Sequence, residues 1–338
     1  MPRVNICIPA FNAGKTIGET IRSLLVQTYQ NFEIHVSDNA STDNTVETVR
    51  YFNDPRVFIH RNEVNVGGEE NFDICLHLGR GKYTAIFHAD DIYEPTMLAA
   101  QVEFLECNPA AGAVFTHATL IDNNGAQIGR ISLPKTIHSS NNLYRFEDIF
   151  KAILQHSNFL ICPSVLARTQ IYQLEMQSWR WDLFGSSADL DMWLRIARRY
   201  QIGILPTALM KVRISQTQWS ARVRLQPNRA DFFRVVDYYL QDNEVRSRLS
   251  SSDLNNYLRL VRRDNVMRSV NFFLLGDIQE SKKLLSDFYS IDTFTGTLQH
   301  RRNFAVLVLG TYLRILHLLK LERFGRTTLS LMKSKLRK

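Results

Sequence analysis

The sequence predicts an α/β fold, with a mostly parallel sheet flanked by helices, followed by an α-helical C-terminal region. Three observations carry that expectation. Apolar β-rich runs alternate with segments of helical spacing through the first 120 residues; polar clusters close three of those runs; and strand signals stop near residue 225. In order, the runs are Val4 to Ala10 (strand), Thr16 to Gln27 (helix), Phe32 to Ser37 (strand), Thr45 to Phe52 (helix) and Val57 to His60 (strand). Asn71 to Leu78 (helix), Tyr83 to Phe87 (strand), Met97 to Glu106 (helix) and Ala113 to Ile121 (strand) continue the rhythm. Residues 123 to 145, with Asn123-Asn124-Gly125 and Ser139-Ser140-Asn141-Asn142, read as a turn and a long surface loop. Candidate helices at Arg229 to Leu240, Asp253 to Leu275, Ile278 to Phe288 and Arg301 to Leu321 make up the remainder, which places a domain boundary between 1–224 and 225–338.

At 338 residues the chain can bury a full core and exceeds the usual size of one domain. Apolar content of 45% and charged content of 22% belong to an ordinary globular protein. Cys7, Cys75, Cys107 and Cys162 lie far apart, mostly in apolar runs and without metal-ligand spacing, and read as small buried hydrophobes in a reducing compartment. Residues 301 to 338 carry ten Lys or Arg against the single Glu322, so this tail holds more than the whole net charge of +8 and the body is near neutral. An anionic surface, lipid headgroup or nucleic acid, is the partner such a tail implies; without interleaved aromatics for stacking, nucleic acid is disfavoured. Met1-Pro2-Arg3 leads directly into the strand-like run at Val4, which leaves no room for a signal segment and argues against export.

In open sheets of this kind, ligands bind beyond the carboxyl ends of the strands. The clusters Pro9 to Asn12, Asp38 to Asp43 and His88 to Asp91 fall at those ends. In the last of them the run Tyr83 to Phe87 stops at His88-Ala89-Asp90-Asp91, followed by Ile92-Tyr93-Glu94-Pro95. Two carboxylates at a strand end suit a hard divalent cation that takes further ligands from a substrate's phosphates. The same residues also suit an Asp-rich turn that caps the helix after Pro95.

Five segments in register resemble the opening of family-2 glycosyltransferases with the GT-A fold. They are Ile8-Pro9-Ala10-Phe11-Asn12, Ser23 to Glu33, Ser37 to Thr45, Asn65-Val66-Gly67-Gly68 leading to Asn71, and His88 to Asp91. The resemblance covers roughly residues 4 to 220. It implies an inverting transfer of a sugar from a nucleotide diphosphate to an acceptor hydroxyl, with Mg2+ or Mn2+ on the diphosphate. By that resemblance Pro9, Ala10, Phe11 and Asn12 cup the nucleoside, Asp38 takes a hydrogen bond from the base, and Asn65, Gly67, Asn71, His88, Ala89 and Asp90 complete the donor site. Asp90 reaches the metal, with Asp91 beside it.

On the acceptor side, Gly185 to Arg195 is similar to the family's Glu-Asp element at a helix start. Asp189 falls on the catalytic-base position, and Ala188 replaces the neighbouring Glu. Asp189 and Asp191 lie about 200° apart on a helix, so they do not share one task; both also simply suit a helix N-terminus. Trp193 and Arg195 read as packing and surface pairing. The chain departs from the family pattern at three further places. His88 stands where relatives carry the first acid of Asp-x-Asp, as a ribose or phosphate contact or as a hydrogen-bonded strand-end histidine. Ser215 replaces the His of Arg-x-His, which leaves Arg213, Gln218, Arg222 and Arg224 as its substitutes, and Glu70 precedes Asn71 where some relatives have Arg.

A nucleotidyltransferase is disfavoured because Pro9 to Lys15 offers only Gly14, and a dinucleotide dehydrogenase because G-x-G-x-x-G is missing. A non-catalytic scaffold that kept the fold is the remaining alternative. Within the last helix Arg314, His317 and Lys320 form a narrow polar stripe on an otherwise apolar cylinder, too interrupted for a comfortable bilayer span. It reads as an interfacial helix or as a packing helix of the C-terminal bundle. The expected acceptor is a glycan or lipid-linked glycan, in polysaccharide synthesis, and the expected place is the cytoplasm, with peripheral contact at the inner face of the cytoplasmic membrane.

Overall fold

A computed structural model describes residues 3–215, 228–286, 288 and 301–335. The chain divides into two compact units, residues 1–215 and 216–338. The boundary expected between residues 224 and 225, and Gln218, Arg222 and Arg224, lie outside the described residues.

In the first unit the strands are β1 (Val4–Ala10), β2 (Phe32–Asp38), β3 (Val57–Arg61), β4 (Tyr83–Ile86), β5 (Ile92–Tyr93), β6 (Ala111–Ile121), β7 (Gln127–Ile131), β8 (Leu143–Tyr144), β9 (Leu166–Arg168) and β10 (Gln201–Arg213). Between them run the helices α1 (Ile17–Leu25), α2 (Thr45–Arg50), α3 (Gly68–Leu78), α4 (Met97–Cys107), α5 (Phe146–His156), α6 (Trp181–Phe184) and α7 (Ala188–Arg199). They build one sheet in the order β3-β2-β1-β4-β9-β6-β10-β5, with β7 beside β6 and β8 beside β10. The long pairings β1–β2, β2–β3, β1–β4 and β6–β10 are parallel. Short antiparallel pairings of β5, β7, β8 and β9 make the sheet mixed.

Central β1 is buried on both faces, as a strand between helical layers must be. On α1, Ile17, Thr20, Ile21 and Leu24 bury one face at helical spacing. Parallel register aligns Ala10 with Asp38 and Asp38 with Arg61, so the carboxyl ends of β1, β2 and β3 meet at one edge. The turn after β6 matches expectation: Asp122 Oδ1 accepts from the Asn124 and Ala126 amides at 2.9 Å, and Gly125 takes φ +82°, which favours glycine. The surface loop expected after it begins instead with β7, whose residues are exposed or half-buried and so lack a continuous apolar run. Of the cysteines, Cys7 and Cys75 are buried as expected, whereas Cys107 is exposed.

The second unit is helical: α8 (Asp231–Leu240), α9 (Asn243–Ser247), α10 (Ser251–Leu275), α11 (Ile278–Lys283), α12 (Arg301–Leu318) and α13 (Glu322–Lys335). A reciprocal Ser250–Asp253 capping box starts α10, and Gly276 in the left-handed conformation, φ +93°, ends it. Val266, Val270, Phe273, Leu285, Phe288, Leu313, Leu316 and Leu329 form its core. Two expected helices change extent: that from Ile278 stops at Lys283, and that from Arg301 stops at Leu318 before α13 begins.

The polar stripe of α12 turns inward over most of its length. His317 is buried with Nε2 3.0 Å from Ser281 Oγ, and Arg314 donates to the Ser286 carbonyl. Phe304, Val308, Ile315 and Leu318 are exposed on the other side, with Leu319 just beyond the helix end. Among the described residues no helix is long and apolar enough to cross a membrane.

Candidate active site

The loop after β1 bends over the end of β2. Asn12 takes φ +50°, its amide donates to Ser41 Oγ at 2.9 Å, and its Oδ1 accepts from the Thr42 amide at 2.9 Å. Phe11, 48% exposed, stands out from this loop rather than joining the core. Asp38 is fully buried: Oδ2 accepts from the Ser41 amide at 3.2 Å and lies 3.4 Å from Arg61 Nε, while Oδ1 has no hydrogen-bond partner. A buried acceptor without a donor is costly. It is therefore a group that a ligand N–H can satisfy.

Asn65, Gly67 and Asn71 support this loop from behind. Asn39 Nδ2 donates to Asn65 Oδ1 and to the Gly67 carbonyl, both at 2.9 Å, and Asn71 exchanges hydrogen bonds with the Ser37 hydroxyl and carbonyl at 2.7 and 3.0 Å. The oxygens of all three, Asn65 Oδ1, the Gly67 carbonyl and Asn71 Oδ1, are thus engaged within the protein. Asn39 and Asn62, which join them, are site-supporting residues that the sequence reading did not single out.

After β4 the chain turns through His88, Ala89, Asp90 and Asp91, and the Tyr93 hydroxyl accepts from the His88 amide at 3.0 Å. Thr20 on α1 donates to the Asp91 carbonyl at 2.7 Å. Asp91 is buried; Oδ1 accepts from the Arg213 amide at 3.0 Å, and Oδ2 has no hydrogen-bond partner and lies 3.8 Å from His88 Nδ1. Burial, then the neighbouring Asp90 charge, push the Asp91 carboxyl well above the ordinary range. One ligand atom from each of His88, Asp90 and Asp91 lies within 4.8 Å of the others. This donor set fits a divalent cation: carboxylate oxygens suit Mg2+ and Mn2+, and a +2 charge offsets the cost of ionising a buried acid.

Arg213, the end of β10, clamps this turn. Its Nε donates to the Asp90 carbonyl at 3.0 Å, its Nη1 to the Asp122 and Asn123 carbonyls at 3.1 and 3.2 Å, and its Nη2 pairs with Glu19 at 2.5 Å. Expected as a substitute cation for diphosphate, this guanidinium is engaged with backbone carbonyls and Glu19.

On α7, Asp189 and Asp191 face different surroundings, as their helical angle predicts. Asp191 is fully buried between Arg180 and Arg195, each of which donates to it. Asp189 is half-buried, its Oδ1 accepting from the Leu190 amide at 2.7 Å, and burial pushes its carboxyl up to about 6. Trp193 is fully buried, and Ala188 leaves no acid beside Asp189.

A mixed, mostly parallel sheet with polar clusters at its carboxyl edge and an acidic turn beyond its fourth strand is a GT-A-type arrangement. The family model "Glycosyl transferase family 2" matches residues 5–173, half of the chain, and the protein belongs to that family. An uncharacterised glycosyltransferase of Haemophilus influenzae is 26% identical over 315 residues, 88% of each chain. A β-1,3-glucosyltransferase of Escherichia coli, WfaP, named for UDP-Glc and α-D-GlcNAc-diphosphoundecaprenol, is 24% identical over 80% of this chain and 87% of its own. Among solved structures, Staphylococcus aureus TarS 1–349 in complex with UDP-GlcNAc superposes with a TM-score of 0.57 at 14% identity, over 83% of this chain and 90% of that one. The Pyrobaculum calidifontis mannosyltransferase PcManGT, in complex with GDP-Man and Mn2+, gives 0.54 at 16% identity over 94% and 86%. This chain is a glycosyltransferase.

Proposed function

We propose that this glycosyltransferase is inverting and metal-dependent, and that it moves a sugar from a nucleotide diphosphate to a hydroxyl of a lipid-linked glycan. The observation that carries the reading is the orphaned Oδ1 of Asp38 at the sheet edge where the His88 to Asp91 turn also lies. In this reading Asp38 Oδ1 accepts a hydrogen bond from the base, and Pro9, Ala10, Phe11 and Asn12 cup the nucleoside. Asn65, Gly67 and Asn71 hold that wall in place, and His88 and Ala89 border the ribose and phosphates. Asp90, with Asp91, would hold Mg2+ or Mn2+, which supplies charge neutralisation on the departing diphosphate. Asp189 takes the proton of the acceptor hydroxyl; a carboxyl raised to about 6 is still ionised at neutral pH and is a stronger base than an ordinary one.

A lipid-linked acceptor is supported by the substrate in the name of the E. coli relative. It is supported independently by the outward apolar face of α12 and by the exposed Lys320, Arg323 and Arg326 that follow it in sequence. Apolar burial and attraction to anionic headgroups add there, giving peripheral contact with the inner leaflet of the membrane. Leu318→Asp should abolish co-sedimentation with anionic vesicles without changing nucleotide affinity; sedimentation equal to that of the parent would refute the contact.

Calorimetric titration with UDP, GDP and dTDP, each with Mn2+ and with EDTA, tests the donor site beside Asp90→Ala. Metal-dependent binding of one nucleotide, lost in the variant, is expected. Binding of none of the three would favour a non-catalytic scaffold instead.

A further inference from the structure

A chain of aromatic rings runs from the base-bearing helix to the acidic turn, and no role described above uses it. Trp193 lies four residues after Asp189, on the same side of α7, and is fully buried. Its ring meets Trp179 edge-on at 5.5 Å between centroids, and Trp179 meets Trp181 at 5.7 Å and Phe72 at 6.1 Å. Phe72 in turn meets Trp181 at 5.9 Å and His88 at 5.7 Å. Burial decreases along this chain: Trp193 and Trp179 are buried, whereas Trp181 and Phe72 keep part of their surface open.

Asp73 fixes the outer end. Its Oδ1 accepts from the Trp179 amide at 3.1 Å and its Oδ2 from Trp181 Nε1 at 3.2 Å, so the only polar atom of the Trp181 ring is engaged and the remaining open surface is apolar. Trp179 Nε1 is buried with no hydrogen-bond partner. The preceding backbone is irregular, with a π-helical turn at Ile171–Met176 and φ +59° at Gln177, the kind of departure that clusters at functional sites.

We propose that the open face of Trp181, with Phe72 standing edge-on beside it at an interplanar angle of 71°, is a stacking platform for the pyranose ring of the acceptor sugar. A pyranose presents a flat C–H face and a rim of hydroxyls. An aromatic face held in place by Asp73 matches the first, and the Asp73 carboxylate at its edge is an acceptor for the second. The platform adjoins His88 on one side and is joined through Trp179 and Trp193 to the helix of Asp189 on the other, where an acceptor hydroxyl must lie between base and donor. The proposal rests on the reading of Asp189 as base. It is separate from the nucleoside site, which lies at the Asp38 loop.

The test is the indole 1H–15N spectrum of the whole protein, with the Trp181 signal identified by its loss in Trp181→Phe. Methyl N-acetyl-α-D-glucosaminide and methyl β-D-glucopyranoside are titrated to 100 mM, beside sorbitol and beside UDP with Mn2+. A saturating shift of the Trp181 signal with either glycoside, at least threefold that with sorbitol, is the expected result. Equal shifts with glycoside and sorbitol, or a response only to UDP with Mn2+, would overturn the platform. In a second arm, with N-acetylglucosaminyl diphosphate on a short polyprenol as acceptor probe, Trp181→Ala should raise the acceptor KM at least tenfold and Trp181→Phe should restore most of it. An unchanged acceptor KM in Trp181→Ala sinks the proposal. Failure of UDP binding in the parent protein would instead count against the donor-site reading.

Discussion

The backbone amide of Arg213 donates to Asp91 Oδ1 at 3.0 Å while its guanidinium donates to the Asp90 carbonyl at the same distance. One residue at the end of β10 therefore holds both acids of the turn, one by side chain and one by main chain. Its guanidinium also ties in the Asp122 and Asn123 carbonyls and Glu19, and its side chain is only 6% exposed. The acidic turn is thus fastened to the end of a long strand, as a preorganised ligand set would require.

Replacing Arg213 should therefore weaken cation binding more than charge removal at a distance would. Arg213→Ala leaves the Asp90, Asp122 and Asn123 carbonyls short of a donor and should destabilise the protein by about 1–3 kcal/mol, the usual range for an acceptor left unpaired. Mn2+ affinity should fall by about 10–100-fold, as when supporting residues of metal ligands are removed. Arg213→Lys keeps the charge but not the planar fork, and should recover little of either. Urea unfolding and Mn2+ titration read the two effects separately.

Asp189 makes a pH prediction. A base must be a carboxylate, and burial raises this one to about 6. The kcat/KM value should be level above pH 7 and fall tenfold per unit below about 6, provided acceptor and nucleotide do not titrate there. Asp189→Asn should lower kcat by about 10²–10⁴-fold, the usual contribution of a general base, with nucleotide affinity retained. A flat profile between pH 5 and 7 would remove Asp189 from that role.

Two residues further on, Asp191 should behave in the opposite way. It is fully buried, with Arg180 Nε at 2.8 Å and Arg195 Nε at 3.0 Å. Removing one partner of a buried ion pair leaves charge uncompensated and costs about 3–5 kcal/mol. Asp191→Ala should thus lower the urea midpoint strongly, whereas Asp189→Asn should change it little. Equal stabilities for the two variants would contradict the division of labour on α7.

The contrast between these acids marks what the sequence could convey. Asp38, Asp90 and Asp189 sit where an apolar run or helix begins or ends, so local pattern brings them to notice. The clamp by Arg213 was not legible, because its partner Asp91 is 122 residues away and the other contacts are backbone carbonyls that carry no sequence signal. Similarly, the stripe of Arg314 and His317 was visible as a stripe, but periodicity does not say what a stripe faces. Here it faces Ser281 and Ser286, and the apolar side faces out. The aromatic chain from Trp193 to Phe72 joins segments over 100 residues apart, and only packing brings it together.

Away from the site, His35 and His60 make the remaining prediction. They lie on the paired strands β2 and β3, with His35 Nδ1 3.0 Å from His60 Nε2, so one neutral ring donates and the other accepts. Phe58 stacks on His35 at 5.2 Å, and Glu33 lies 3.3 Å from His35 Nε2. Burial lowers both histidines; for His35 the charge of His60 adds to this and Glu33 opposes it. In the unfolded chain each titrates near about 6.5. The unfolded state therefore binds more protons below that value, and stability falls as pH drops through 6.5 towards the lowered native values. His60→Gln removes one titrating ring and keeps an amide able to serve as donor or acceptor. Its urea midpoint should decline less than the parent's between pH 7.5 and 5, at a similar m-value. If the two proteins lose stability in parallel over that interval, the acid sensitivity lies elsewhere and the pair is not its source.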